Sequence, residues 1–129
     1  MTQTRTITAV IAEATSNSAA GTTRGRVDLR GADYGWLHIK LTNGATGPTV
    51  QGEARILFSD TDGTQPTAAA AGTDWKTAVS GISAGVANNA VREYVFYFGG
   101  GMTHLEVEVT GNTGQAITCE ATCVSTVVS

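Results

Sequence analysis

Thr103-His104-Leu105-Glu106-Val107-Glu108-Val109-Thr110 sets an apolar residue at every second position from Leu105 to Val109 and runs into the turn-forming cluster Gly111-Asn112-Thr113-Gly114. A period of two places Leu105, Val107 and Val109 on one face and His104, Glu106 and Glu108 on the other, the pattern of a strand with one face buried and one in water. The same alternation recurs along the chain with no competing helical period. The sequence therefore predicts an all-β module.

Working outward from that strand, the next segment toward the C-terminus, Gln115 to Val124, alternates in the same way and is expected to form a hairpin with it through Gly111–Gly114. Before it, Val91 to Phe98 breaks the rule: Val91, Val95 and Tyr97 fall on one face, and Tyr94, Phe96 and Phe98 on the other. A strand apolar on both sides is either central beneath an extra layer or the seat of another chain. Further strands are expected at Thr4 to Ala14, with Ile7, Ala9 and Ile11 on one face, at Arg26 to Arg30, Tyr34 to Thr42, Glu53 to Ser59 and Trp75 to Val79. Residues Ser16 to Gly25 and Asp60 to Asp74 read as irregular, the second with room for one helical turn at Thr67 to Ala71.

About eight short strands with regular turns in one domain-sized chain predict a single antiparallel β-sandwich over residues 1–129, jelly-roll or immunoglobulin-like in strand order. The Thr-rich start, about residues 1–6, reads as an exposed arm. Sixteen glycines against two prolines in 129 residues suit such a chain of many turns. Eight basic and eleven acidic residues give a net charge of -3 with no basic stripe, so nucleic acid is not an expected partner. No apolar run approaches the roughly 18 residues of a membrane span. The polar start lacks the apolar core of a signal peptide, so synthesis in the cytoplasm is expected.

Cys119 and Cys123 would share a face of one strand but stand roughly 13 Å apart, beyond the reach of a disulfide. They are expected to be free thiols in an apolar layer. His38 and His104 fall on the polar faces of their strands, where a solvated side chain is the expectation. Glu106 and Glu108 could flank a sugar at about 7 Å, but without an aromatic cleft they read as a solvated face. Asp60-x-Asp62-Gly63 is a fragment of a calcium loop that lacks its later acidic ligand. No nucleophile elbow, zinc helix or phosphate-cradling loop is present. No enzymatic activity, cofactor or metal is expected. Tyr34, Trp36 and Trp75 could stack on sugars or, as the preferred use, form a subunit contact.

Val27-Asp28-Leu29-Arg30, Tyr34-Gly35-Trp36, Asn43-Gly44-Ala45 and the closing run from Val109 to Thr118 together resemble small virion proteins of tailed bacteriophages. That resemblance implies a capsid decoration, or cement, protein on the virion surface. Its partners would be the major capsid protein and copies of itself, as homotrimer or homodimer, with neither nucleic acid nor membrane. Binding would use strand edges, loops and a terminal arm, and the expected contact residues are Thr4, Arg5, Thr6, Trp36, Trp75, Tyr94, Phe96 and Tyr97. The alternative is a tail, fibre or neck module, with a glycan-binding role through Trp36, Trp75 and residues 60–74.

Overall fold

The computed structural model describes residues 1–60 and 75–129. Among them lie eight strands: β1 (Gln3–Asn17), β2 (Thr22–Asp28), β3 (Tyr34–Asn43), β4 (Glu53–Ser59), β5 (Lys76–Ile82), β6 (Val91–Gly99), β7 (His104–Thr110) and β8 (Ile117–Val128). They form two four-stranded antiparallel sheets, β1-β8-β3-β6 (sheet A) and β2-β7-β4-β5 (sheet B). The pairing is nested: first strand with last, second with seventh, third with sixth, fourth with fifth. This is the jelly-roll order, which settles the choice that alternation left open.

The two sheets close over one core. β3 contributes Leu37, Ile39 and Leu41, β7 contributes Leu105, Val107 and Val109, and β8 contributes Ile117, Cys119, Ala121 and Cys123. Both cysteines are free and buried as expected, and burial pushes the Cys123 thiol up to about 11.

Four expectations are corrected. β7 and β8 lie in different sheets, so Gly111–Gly114 is a corner between sheets and no hairpin turn. Its hinge is Asn112, fully buried, whose Nδ2 donates to the carbonyls of Asn17 (3.1 Å) and Gln115 (3.0 Å) while its Oδ1 accepts from Asn17 Nδ2 at 2.5 Å. One short polar side chain thus ties the β1–β2 corner to the β7–β8 corner and satisfies backbone groups that neither sheet reaches.

The run Ser16–Gly25 is also no loop. β1 continues to Asn17 and β2 begins at Thr22, leaving a tight corner closed by Gly21 N–H donating to the Ser18 carbonyl at 2.8 Å. Next, the face of β1 changes along its length. Ile7 pairs with Val124 and Ala9 with Thr122, but Ile11 pairs with Ala121, so Val10 is an extra residue in the ladder. Such a bulge turns the alternation over. Ile7 therefore points out, 70% exposed, while Ile11 points into the core. Lastly, residues 3–6 are no free arm: they are zipped along β8, and Thr2 and Ser129 exchange both backbone hydrogen bonds at 2.9 Å.

β6 occupies an edge of sheet A, so it is not the covered central strand that was one of the two alternatives. Tyr94 and Phe96 pack on the core and Phe98 is buried in it, while Val95 and Tyr97 stay exposed on the outer face. The helical turn at Thr67 to Ala71 and, apart from Asp60, the calcium fragment Asp60-x-Asp62-Gly63 fall outside the described residues.

Gly25 of β2 sits against the bulge of β1, and a Cβ built there would land on the Val10 carbonyl. Overpacking against backbone cannot be relieved by a rotamer change. Gly25→Ala is expected to destabilise the fold by about 3 kcal/mol or more, read as a lower urea midpoint at unchanged slope.

Candidate interaction surfaces

The outer face of sheet B is charged yet closed. On central strand β7 the outward side chains His104, Glu106 and Glu108 are all buried, against the expectation of a solvated face. Cross-strand register explains the two acids, since Glu108 stands between Arg24 of β2 and Arg55 of β4, and Glu106 between Arg26 and Leu57. Arg24 Nε donates to Glu108 Oε2 at 2.8 Å and Arg55 Nε to Oε1 at 2.8 Å, so one carboxylate joins three strands. Burial alone would raise the Glu108 carboxyl, but the two guanidinium groups outweigh it and hold it below the ordinary glutamate value.

Glu106 is placed differently. Arg26 Nη2 lies 3.1 Å from Oε2 and Arg24 Nε 3.8 Å from Oε1, yet among the described residues neither carboxylate oxygen has a hydrogen bond of good geometry. Burial dominates and raises its carboxyl, with Arg26 and Arg24 only partly offsetting it. His104 is fully buried beside Trp75, ring centroids 6.4 Å apart and edge-to-face, and Arg26 lies 5.6 Å over the Trp75 ring. Burial lowers the His104 imidazole, keeping it neutral. At the margin, Arg30 holds the Asp28 carboxyl down to about 2.

The outer face of sheet A differs, carrying an exposed apolar row among polar residues. A row in register runs across all four strands, Ile7 to Val124 to Trp36 to Tyr97. Beside it runs Arg5–Thr126–Tyr34–Gly99 and, on the other flank, Ala9–Thr122–His38–Val95. Tyr97 is 76% exposed, Tyr34 43%, Val95 42% and Trp36 37%. The Trp36 indole stands between two shallow hollows. One, of about 330 Å³, is lined by Gln3, Arg5, Tyr34 and Thr126; the other, of about 420 Å³, by His38, Val95, Tyr97 and Thr122. Polar groups gather at the far end, where His38 Nε2 and Glu93 Oε1 are 3.0 Å apart.

The contact residues expected from sequence divide accordingly. Arg5, Trp36 and Tyr97 come together on the outer face of sheet A. Thr4 and Thr6 are exposed on the opposite side of β1, while Tyr94 and Phe96 turn inward onto the core. Trp75 belongs to the other sheet and is fully buried, packed on His104 and Arg26, so it presents nothing to a partner. Sequence reasoning missed Ile7, whose side was reversed by the bulge, and it missed the arginine clasp. The alternation Arg24-Gly25-Arg26, on a strand as short as that of Glu106 and Glu108, was the available signal. Among the described residues no group of three or more His, Cys, Asp or Glu side chains is placed to hold a metal ion.

No protein-family model matches the chain, and neither does any curated protein. Solved structures do. The VP2 subviral particle of infectious bursal disease virus matches with a TM-score of 0.53 at 9% identity, over 97% of this chain and 32% of that one, so the chain spans about a third of VP2. The K3 adhesin domain of Lys-gingipain from Porphyromonas gingivalis matches with a TM-score of 0.52 at 11% identity, over 85% of this chain and 72% of that one. The SPBc2 prophage-derived protein YomS has 18% identity and a TM-score of 0.46 over 97% of this chain and 96% of that one. At these identities the likeness to the VP2 and Lys-gingipain structures is one of fold alone.

The two glutamates should respond oppositely to loss of charge. Glu108 has a lowered folded pKa, so its stabilisation is present above the ordinary carboxylate range and lost as pH falls through the folded value. Glu106 has a raised one, so its ionisation works against the fold and acid relieves it. At pH 7, Glu108→Gln is expected to cost about 1–3 kcal/mol and Glu106→Gln less, with the gap closing as pH drops toward the folded pKa of Glu108. Urea melts at both pH values measure this, and equal costs at neutral pH would contradict it.

Proposed function

We propose that the protein is a virion structural component of the capsid-decoration type, which seats the outer face of sheet A on the assembled major capsid lattice and so sits at the capsid surface. The observation that carries this reading is the in-register row Ile7–Val124–Trp36–Tyr97, in which Ile7, Trp36 and Tyr97 stand exposed on the outer face of sheet A around a buried Val124. Exposed apolar surface of this kind marks contact with another macromolecule, and Trp and Tyr are the residues that dominate such contacts. The jelly-roll order and its likeness to a virus particle protein support the same reading.

The mechanism is mass action. A rigid domain that binds the assembled lattice and not its separated subunits lowers the free energy of the assembled state by RT ln(1 + [L]/Kd) per site, where [L] is its free concentration. A closed sandwich suits this task, because little conformational entropy remains to be lost on docking. Several copies bound together would add avidity without any single strong contact.

A second reading is favoured by one feature: the hollow between Arg5, Tyr34 and Trp36 offers aromatic surface beside hydrogen-bond donors, the chemistry that recognises a sugar. Under that reading the protein is a tail or fibre module that binds glycan.

Trp36→Ala combined with Tyr97→Ala separates the two. Loss of occupancy on purified expanded shells by at least about tenfold, a change worth about 1.4 kcal/mol, with an unchanged melting temperature, is the expected result. Full occupancy on shells together with a Trp36-dependent signal on a glycan array would replace the first reading by the second.

A further inference from the structure

The ladder between β1 and β8 fixes which backbone groups of β1 face outward. Thr2 and Ser129 exchange both backbone hydrogen bonds, which fixes the phase of the β1–β8 ladder. Thr2, Thr4, Thr6 and Thr8 then direct their N–H and C=O groups at β8, while Gln3, Arg5, Ile7 and Ala9 direct theirs away from it. β1 is the outermost strand of sheet A, so among the described residues those groups form an open row of donors and acceptors up to the bulge at Val10. Beyond that point the edge is closed by β2, whose Gly25 abuts the Val10 carbonyl.

Open edges are normally guarded by proline, bulges or like charges. The stretch Gln3 to Ala9 has no proline, no bulge and one charge, Arg5. By contrast, β5 carries register shifts against β4 and a left-handed Gly81 (φ 75°), and β2 carries Arg24 and Arg26 around Gly25. The edge of β6 holds the adjacent charges Arg92 and Glu93.

From this we infer that the protein self-associates by antiparallel β1–β1 pairing about a two-fold axis at Thr6. That register places Thr6 opposite Thr6 and Thr4 opposite Thr8, pairs whose hydroxyls favour one another across strands. It sets Arg5 opposite the partner's Ile7, so no like charges face each other and the Arg5 stem lies over an isoleucine that is 70% exposed in the single copy. Val127, opposite Thr4 on β8 and 41% exposed, flanks the same edge. The contact is isologous and closes at two copies. It also joins two four-stranded sheets into one of eight strands, bringing the two Ile7–Trp36–Tyr97 rows onto a continuous face. The inference stands on the edge of β1 alone and is independent of what that face binds.

The phase of the ladder supplies the test. Proline at position 7 removes a donor that points away from β8, which an edge strand tolerates, whereas the β8 ladder stays whole. Sedimentation equilibrium of the purified full chain is expected to show a dimer at tens of micromolar, by order of magnitude for a contact of this size. Ile7→Pro should weaken it at least tenfold with the melting temperature retained. Ile7→Lys, which sets a cation opposite the partner's Arg5, should do the same through charge and guards against a folding defect in the proline variant. Val95→Pro, which removes an outward donor on β6, should leave the dimer unchanged. A wild-type protein that stays monomeric at millimolar concentration, or a dimer lost with Val95→Pro and kept with Ile7→Pro and Ile7→Lys, overturns the inference.

Discussion

The Glu108 carboxylate, held between Arg24 of β2 and Arg55 of β4, is the contact on which the register of sheet B depends. β7 is central, and every residue from His104 to Val109 is buried, so the strand has no wet side on which an error could be tolerated. A slip of one residue would drive Glu106 and Glu108 into the core and turn Leu105, Val107 and Val109 outward. The arginines of both neighbours recognise one register. Such buried ion pairs add little net stability over an apolar replacement. Here the physical effect is selection among alternatives, with hydrophobic burial of the opposite face supplying most of the energy.

The two outer faces then reverse the simplest expectation for a sandwich. Sheet B hides charge: its acids are neutralised across strands, His104 is kept neutral by burial, and Trp75 lies against both His104 and Arg26. Sheet A exposes aromatic surface. Removing charge from water is costly unless partners are supplied, and β2, β7 and β4 supply them within their own registers. Exposed aromatic area is cheaper to tolerate in a single chain, and it is the kind of surface that contributes affinity when another molecule removes it from water.

This contrast also explains what could be read from the chain alone. Period-two alternation located β3, β4 and β7 to within a residue or two, because one apolar face per strand is a direct consequence of burial. Partners were another matter. Asn112 looks like an ordinary turn residue beside Gly111, and only its buried bonds to Asn17 and Gln115 reveal a corner between sheets. The side of Ile7 was illegible because a bulge at Val10 leaves no mark in composition. The acids of β7 were taken as solvated, since alternation reports which side chains are polar but not whether a neighbouring strand has brought the matching charge. Of the expected contact residues, Arg5, Trp36 and Tyr97 share one surface because their parities agree across β1, β3 and β6, a relation that exists only once strand order is known.

Strand order also decides which surface is free for binding. β3 and β8 are the inner strands of sheet A, anchored by Leu37, Ile39 and Leu41 and by Cys119, Ala121 and Cys123 on the core side. β3 pairs in unbroken register with β6 on one side and β8 on the other, so Trp36 is held on a regular frame without itself holding the fold. On sheet B the outward residues of the corresponding inner strand are committed to register and cannot be varied for recognition without losing it. The outer face of sheet A is not tied to register in this way, because Leu37, Ile39 and Leu41 hold the fold from the core side. The nested pairing of first strand with last brings β1 to the border of sheet A, beside the face that carries Trp36 and Tyr97.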